Sequence, residues 1–376
     1  MNIVSSIRRR IMPNFQIPTK VHMGDDSLDV LDEFAGAKVL VVTDGFLATT
    51  DHFKEIVARL DDVKVFDKVE PNPTVDLVAQ GVAEYLQFGP EIVLAYGGGS
   101  AIDTAKAVHL IAGEDGRGAP GGIVVIPTTS GSGSEVTSYA VITDEANETK
   151  IPLLSEKMYA RIAILDPEAV RSCPSKTTAD SGMDVLTHAT EAYVSTDAND
   201  FTDALAEKAV SLVFENLHEC FVDGNDMDAR KHMHSASSLA ASSFENAGLG
   251  ITHSLAHALG GHFHVAHGRL NAILLPHVIE YNSQDPQAMS RYARLGRMVS
   301  PDSNGPSAVR MFIQHIRRMN EKLQIPDSLH LAGVDSDECR KKLDEMTASA
   351  MVDRCTQTNP VKPTEEDLRQ IILRAL

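Results

Sequence analysis

Short aliphatic runs recur through the first half of the chain and predict a β-sheet. They contain few polar residues, which is typical of strands buried on both faces. The runs are Lys38–Thr43, Val63–Phe66, Ile92–Tyr96, Gly122–Ile126 and Ile162–Leu165. Between them, His52–Leu60 and Val75–Phe88 have apolar residues at helical spacing. This alternation of strands and helices favours a parallel sheet covered by helices.

Helical periodicity alone follows Asp166-Pro167. Apolar residues of Ser307–Leu323 form one stripe, and a last helix after Pro363 begins with Thr364 and Asp367 as its cap. The other predicted helices cover 202–219, 228–247, 287–299 and 337–350. Because 376 residues exceed what one core usually supports, we expect two domains, an α/β domain over 1–178 and an all-helical domain over 179–376.

Composition indicates a globular protein that acts on a small molecule. Apolar residues make up 43% of the chain and charged residues 23%, as in ordinary globular domains. The formal net charge of −18 opposes binding to nucleic acid or to anionic lipid. A small-molecule ligand is therefore favoured, with no nucleic-acid or membrane partner.

Cysteine usage and hydropathy predict a cytoplasmic protein. The four cysteines are scattered without CxxC spacing, which fits a reducing compartment. No apolar run approaches the ~20 residues that span a bilayer, and no signal peptide is recognisable. Residues 1–12 carry apolar side chains at helical spacing beside a run of arginines. They are either a frayed tail or a short amphipathic helix that docks on a partner.

A glycine-rich turn, Gly97-Gly98-Gly99-Ser100, follows the run Ile92–Tyr96 and opens a predicted helix over Ala101–Ala112. Ligands of parallel sheets sit at the carboxyl ends of the strands. Glycines let the backbone approach a phosphate, Ser100 could cap the helix, and a helix N-terminus attracts anions. Such a turn on its own is more often an ordinary loop, since it is not the GxGxxG fingerprint.

Three other segments follow predicted strands or start helices near the same edge. Asp44 could bond the ribose hydroxyls of NAD and repel the 2′-phosphate of NADP, or it could be a solvated turn residue. Pro127–Thr137, rich in hydroxyls and glycines, is favoured as a second nucleotide-lining loop over a plain linker. The turn Pro71–Thr74 is a third candidate, its alternative being a simple helix-starting turn.

Residues 248–277 hold six of the 15 histidines, a density that suggests a metal site. His253 and His257 are four apart, so a helix would place them on one face. Gly260 and Gly261 are expected to end that helix and to let His267 return to the same place. A zinc-protease motif is excluded, because Ser254 stands where that motif needs glutamate.

An earlier segment supplies candidates for the missing ligands. Asp184 and His188 are also four apart and would project from one helix face. Alone, such a pair is more often an exposed ion pair. Combined with His253 and His267, it gives one carboxylate and three imidazoles, a set that suits Fe²⁺ or Zn²⁺ and leaves room for water or substrate.

The motifs taken together resemble the iron-dependent (group III) alcohol dehydrogenases in order and spacing. The resemblance runs from about Asn14 to the end and is carried by GGGSAIDTAKAV, PTTSGSGSEVT, GMDVLTHATEAYVS, GLGITHSLAHALGG and HGRLNAILLPH. It implies a dehydroquinate synthase-like architecture with a Rossmann-like sheet. Within the family, Thr43–Ala48 and Asp200–Ala209 look most like the 1-propanol dehydrogenases of bacterial microcompartments.

The resemblance also assigns roles to particular residues. It implies the metal ligands Asp184, His188, His253 and His267, and it puts His257 beside the nicotinamide and substrate, where it could relay a proton. The implied contacts to NAD(H) are Asp44, Asn72, Gly98, Gly99, Ser100, Asp103, Thr128, Thr129, Ser132 and Lys150. Ser130 and Ser132 depart mildly from the family, where Ala and Thr are common.

The activity implied is interconversion of short-chain primary alcohols and aldehydes, with Fe²⁺, or alternatively Zn²⁺, as the metal. A homodimer is expected, and residues 1–12 could dock to a microcompartment or to an aldehyde-producing enzyme. A lactaldehyde or diol oxidoreductase of the same family is the first alternative. A dehydroquinate synthase-type lyase is the second, although such an enzyme would need several basic residues for its anionic substrate. A non-enzymatic binding protein is disfavoured.

Overall fold

A six-stranded parallel sheet forms the centre of the N-terminal part of the chain. In this computed structural model, which describes residues 14–145 and 149–376, the strands follow the order β1-β8-β5-β4-β2-β3. They are β1 (Lys20–Met23), β2 (Lys38–Val42), β3 (Asp62–Phe66), β4 (Ile92–Gly97), β5 (Ile123–Pro127) and β8 (Ile162–Leu165). The predicted strands and parallel pairing are confirmed.

One strand and one hairpin were not predicted. β1 is a short edge strand with only partly buried side chains, paired with β8 alone, so it lacks the aliphatic signature of the central strands. β6 (Tyr139–Asp144) and β7 (Thr149–Leu154) form a separate antiparallel hairpin. β6 begins with the short apolar run of residues 139–142, which was not recognised as a strand from the sequence.

Helices α1 (Asp51–Ala58), α2 (Val75–Phe88) and α3 (Gly99–Ala112) cover the sheet. Aliphatic side chains of β2, β4 and β5 alternate between two apolar clusters, one on each face of the sheet. β4 and β5 run side by side, with Gly97 opposite Pro127. The glycine turn and the loop after β5 therefore leave the sheet together, at the carboxyl ends of neighbouring strands.

The rest of the chain is helical among the residues that the structure describes. The helices are α4 (Ser175–Val194), α5 (Asp200–Val222), α6 (Met227–Ala247), α7 (Ile251–Phe263), α8 (His267–Asn282), α9 (Pro286–Val299), α10 (Gly305–Lys322), α11 (Ser336–Lys341), α12 (Leu343–Val352) and α13 (Glu365–Ala375). The cap predicted at Thr364 and Asp367 is confirmed. The helix predicted over 337–350 is two helices that meet at Lys342. None of the described helices is long and apolar enough to cross a bilayer.

Two local predictions were wrong. Gly260 and Gly261 do not end their helix, because α7 continues to Phe263 and stops where His264 adopts a left-handed conformation with φ 54°. Ser100 does not cap α3, because the helix begins at Gly99, two residues earlier than predicted, with Gly98 at its N-cap. The division predicted at 178/179 falls inside α4 and stays a prediction, and residues 1–12 lie outside the described part of the chain.

Candidate metal centre and nucleotide edge

Three helices bring the predicted metal ligands together. Asp184 and His188 project from α4, while α7 carries His253 and α8 begins with His267. An oxygen of Asp184 lies 3.7 Å from Nε2 of His253 and 3.7 Å from Nε2 of His267. Its other oxygen lies 3.9 Å from Nε2 of His188. The helices thus place three ring nitrogens within 3.9 Å of the Asp184 carboxylate.

Asn271, one turn after His267 on α8, lies among these ligand atoms. Its fully buried amide donates to Asp184 Oδ1 over 2.7 Å and lies 3.2 Å from Nε2 of His253 and 3.1 Å from Nε2 of His267. Three acceptor atoms thus converge on one donor group. The same three atoms could surround a cation.

Glu191 binds the ring nitrogen of His253 that faces away from Asp184. Its buried carboxylate lies 2.7 Å from Nδ1 of His253 and accepts the backbone N–H groups of Gly250 and Thr252 at the start of α7. With Nδ1–H donated to Glu191, the lone pair of His253 is on Nε2, which faces Asp184. A carboxylate in this position fixes the tautomer and orientation of a ligating histidine.

Burial and neighbouring charges set the ionisation of the site. Burial lowers the pKa of His188 to about 4 and also lowers the pKa of His267. Burial opposes the charge on Asp184 and Glu191, but the surrounding histidines lower the pKa of both carboxyls. Burial also opposes a charge on His253, but the carboxylates of Glu191 and Asp184 raise its pKa instead. At neutral pH the site therefore offers the Asp184 carboxylate and the neutral imidazoles of His188 and His267, the forms that bind a metal.

The donor set fits Fe²⁺ or Zn²⁺. Imidazole and carboxylate ligands suit both ions, and Nδ1 of buried His188 and Oδ1 of Asn271 have no hydrogen-bond partner in the described structure. Asp184, His188 and His253 have ligand atoms close enough to hold one ion.

His257 lies beside this site but faces another carboxylate. Its ring stacks on that of His267 with 5.1 Å between centroids, and its Nδ1 lies 2.9 Å from Asp353 Oδ2. Burial opposes the charge on Asp353, yet the bond from His257 holds its pKa well below the usual value. His257 is 43% exposed at its side chain, in contrast to the buried His253.

The glycine turn forms a narrow cradle at the carboxyl end of β4. A Cβ at Gly98 would lie 3.3 Å from Thr129, and one at Gly99 would lie 3.1 Å from Oγ of Ser132. Because no side chain caps α3, its first N–H groups are available to a phosphate. This geometry fits the pyrophosphate of a dinucleotide.

The remaining predicted cofactor residues fall into three places. Asn72, with φ 58°, accepts a 2.8 Å hydrogen bond from Lys150, so the turn after β3 meets the hairpin. Thr128 is buried, with its N–H bonded to Gly97. Asp44 Oδ1 caps its own turn by accepting the N–H groups of Phe46 and Leu47.

Both carboxylate oxygens of Asp103 accept hydrogen bonds from within the protein. Its oxygens accept hydrogen bonds from Ser134 Oγ at 2.7 Å and from Val141 N–H at 2.9 Å. The side chain therefore braces the loop after β5 against β6. A direct contact between Asp103 and a cofactor stays a prediction.

The loop after β5 connects the nucleotide edge with the metal centre. A Cβ at Gly131 would lie 2.6 Å from the Cβ of Ser181 on α4, one turn before Asp184. Ser130 Oγ of the same loop lies 3.1 Å from Nδ1 of His234 on α6. The two predicted sites therefore share a boundary.

Sequence reasoning missed Glu191, Asn271 and Asp353. Glu191 and Asn271 had a usable signal, because each lies within one or two helical turns of a predicted ligand. Asp353 comes 96 positions after His257, so nothing local in the sequence connects them.

Known proteins resemble this chain over most of its length. The profile "Iron-containing alcohol dehydrogenase" matches residues 18–167, and the profile "Fe-containing alcohol dehydrogenase family, C-terminal" matches residues 178–376. The chain is 41% identical to the 1-propanol dehydrogenase PduQ of Citrobacter freundii, covering 93% of this chain and 96% of the relative. It is 40% identical to that of Salmonella typhimurium, covering 96% and 99%.

The fold also matches solved structures. A 1,3-propanediol oxidoreductase superposes with a TM-score of 0.89 and 32% sequence identity, covering 97% of this chain and 100% of that one. The predicted fold class, a parallel α/β domain followed by a helical domain, is thereby confirmed.

Proposed function

This chain belongs to the iron-containing alcohol dehydrogenase family, and on that premise we propose that it interconverts short-chain primary alcohols and aldehydes, such as 1-propanol and propanal, with NAD(H). The observation that carries this proposal is the converged set of Asp184 and three histidines beside the glycine cradle. The likeness to two 1-propanol dehydrogenases supports the choice of substrate.

In the proposed reaction, Asp184, His188, His253 and His267 would hold a divalent cation. Fe²⁺ or Zn²⁺ would supply Lewis acidity at the substrate oxygen, and NAD(H) would supply the hydride chemistry. The protein's part is to orient the substrate and manage its proton. His257, exposed beside His267, is the group we propose to take up the alcohol proton.

We propose NAD rather than NADP because of the carboxylate of Asp44 at the end of β2. A carboxylate there can bond the ribose hydroxyls and repels a 2′-phosphate. The Gly98–Gly99 cradle would hold the pyrophosphate. Asn72 and Lys150 would line the nucleotide site where the turn after β3 meets the hairpin. These assignments extend the family likeness to individual residues.

We further propose that the enzyme is a homodimer that works in the cytoplasm or inside a bacterial microcompartment. The microcompartment location follows from the resemblance of Thr43–Ala48 and Asp200–Ala209 to the microcompartment enzymes. Docking through residues 1–12 is part of the proposal; deleting them should abolish co-sedimentation with the partner and leave activity unchanged.

A diol oxidoreductase is the second candidate, favoured by the likeness to 1,3-propanediol oxidoreductase. The two are separated by stripping the protein of metal, reloading it with Fe²⁺ or Zn²⁺, and following NADH and NADPH oxidation with C2–C4 aldehydes, lactaldehyde and 3-hydroxypropanal. We expect propanal with NADH to give the highest kcat/KM, and no turnover without metal.

The matched variants are His267→Ala and His232→Ala, the latter an exposed histidine away from the proposed ligands. His267→Ala should abolish metal retention and turnover, while His232→Ala should behave as wild type. Turnover that survives metal removal, or that His267→Ala leaves intact, would refute the proposed metal-dependent reaction.

A further inference from the structure

His257 is paired with a carboxylate from a distant part of the chain. Asp353 follows α12 and lies 96 positions beyond His257, yet its Oδ2 is 2.9 Å from Nδ1 of the ring. A carboxylate on Nδ1 keeps the proton on that nitrogen, so the lone pair is on Nε2. The pairing therefore decides which ring nitrogen can accept a proton.

The carboxylate is itself held in place. Asp353 Oδ1 accepts the N–H of Cys355 at 2.7 Å and the hydroxyl of Ser254 at 3.3 Å. Ser254 lies on α7, and its hydroxyl accepts a 2.8 Å hydrogen bond from Thr356. The oxygen turned away from His257 is thus fixed from both α7 and the segment after α12.

The same C-terminal segment also holds the start of α7. Thr358 Oγ1 donates to the carbonyl of Leu249 at 2.6 Å, and Asn359 accepts the N–H of Ile251 at 3.3 Å. The orientation of the helix that carries His257 and the orientation of the His257 ring therefore depend on one continuous stretch.

We propose that Asp353 is a positioning residue that sets the tautomer and orientation of His257 for proton transfer. The inference rests on the proposed function. In alcohol oxidation, the hydroxyl O–H bond breaks and its proton goes to Nε2 of His257. The C–H bond breaks and its electron pair goes with hydrogen to NAD⁺, which is reduced to NADH. Asp353 stabilises the resulting imidazolium, as carboxylates paired with catalytic histidines do.

A second cation site is the competing interpretation of the same atoms. His257, Asp353 and Cys355 have ligand atoms close enough to bind an ion. However, burial and the nearby Asp353 carboxylate raise the pKa of the Cys355 thiol well above its usual value, and a protonated thiol is a poor metal ligand. Metal stoichiometry distinguishes the two.

The test is a double-mutant cycle on metal-loaded protein, with Asp353→Ala, His257→Gln and the double variant. Asp344→Asn is the control, because Asp344 is exposed on α12, the helix that precedes Asp353. Asp353→Ala should lower kcat ~10²-fold or more, within the range for lost general acid–base catalysis. The KM values for aldehyde and NADH should change little. In the His257→Gln background, Asp353→Ala should have almost no further effect on kcat.

A direct readout accompanies the kinetics. In ¹⁵N-histidine-labelled protein, the ring-nitrogen signals of His257 should report a proton on Nδ1 in wild type and a mixture of tautomers in Asp353→Ala. Equal kcat losses in both backgrounds, unchanged ring signals, or one metal ion lost per chain in Asp353→Ala with the other retained would each overturn the proposal. An inactive but metal-loaded wild type would instead refute the proposed function.

Discussion

At the scale of single residues, the metal centre depends on side chains that do not bind the metal. Glu191 is 2% exposed and holds Nδ1 of His253, while its oxygens also accept the N–H groups of Gly250 and Thr252. Asn271 holds the carboxylate of Asp184. Two of the proposed ligands are therefore oriented before any ion arrives.

Glu191→Gln tests this orientation with little change in volume. In glutamine one of the two carboxylate oxygens becomes an NH₂ group, which faces either His253 and Gly250 or the N–H of Thr252, so at least one donor of this site loses its acceptor and the hold on the His253 ring weakens. We expect metal affinity to fall ~10–100-fold, measured by competition with a chromophoric chelator. Glu219→Gln, an exposed glutamate on α5, is the control. Equal affinity in both variants would contradict the role given to Glu191.

At the scale of elements, the sequence predicted what local periodicity encodes. The central strands β2, β4, β5 and β8 are mainly aliphatic and almost wholly buried, so their burial on two faces was visible in the sequence. Edge strand β1 was invisible, because half of its side chains face solvent and tertiary pairing with β8 alone defines it. Asp184, His188, His253 and His267 were predicted because Asp184 and His188, and likewise His253 and His257, are four apart, and His267 follows the second pair closely.

At the end of α7, the prediction from local sequence was wrong. Gly260 and Gly261 were expected to stop the helix on conformational grounds, yet helical hydrogen bonds and packing carry it through both to Phe263. A glycine costs a helix only about 1 kcal/mol, which tertiary contacts can outweigh. The glycine that matters for His267 is Gly268, the next residue, because it lets α8 approach the backbone of α4.

Gly268→Ala and Gly261→Ala form a matched pair on this point. A Cβ at Gly268 would lie 2.0 Å from the carbonyl oxygen of Asp180 and 3.1 Å from Cβ of Asp184, whereas one at Gly261 would meet nothing within 4 Å. Gly268→Ala should cost ~1–3 kcal/mol of unfolding free energy and weaken metal binding. Gly261→Ala should add ~0.5–1 kcal/mol of stability. Urea unfolding and chelator competition measure both, and equal effects would refute the close-packing argument.

At the scale of the whole molecule, a buried polar network joins the sheet domain to the helical domain. Lys106 of α3 is fully buried and donates to the carbonyls of Thr137 and Tyr139 at 2.7 and 3.0 Å. Burial lowers the pKa of Lys106 to about 8, against the attraction of Asp103, Glu245 and Glu135. Two of these carboxylates form hydrogen bonds between the sheet domain and the helical domain.

Two of the carboxylates reach across the boundary. Glu135, from the loop after β5, accepts the hydroxyl of Ser238 on α6. Glu245 of α6 accepts the N–H of Ser138 and the hydroxyl of Tyr159, at 3.1 and 2.7 Å. Because charges from both domains share this buried space, the domains should unfold together, in a single transition seen by both near- and far-ultraviolet circular dichroism.

Lys106→Met removes the ammonium and leaves two carbonyls and the neighbouring carboxylates without its charge. Removing one charged partner from a buried ionic network lowers the free energy of unfolding by ~3–5 kcal/mol. The urea midpoint should therefore fall sharply. Lys64→Met is the matched control, because Lys64 is half-exposed and pairs with Glu84 at the surface; its loss should cost at most about 1 kcal/mol. Similar costs for both variants would mean that the network does not stabilise the domain boundary. A larger cost for Lys106→Met, together with separation of the two circular dichroism transitions, would show that the network holds the two domains together.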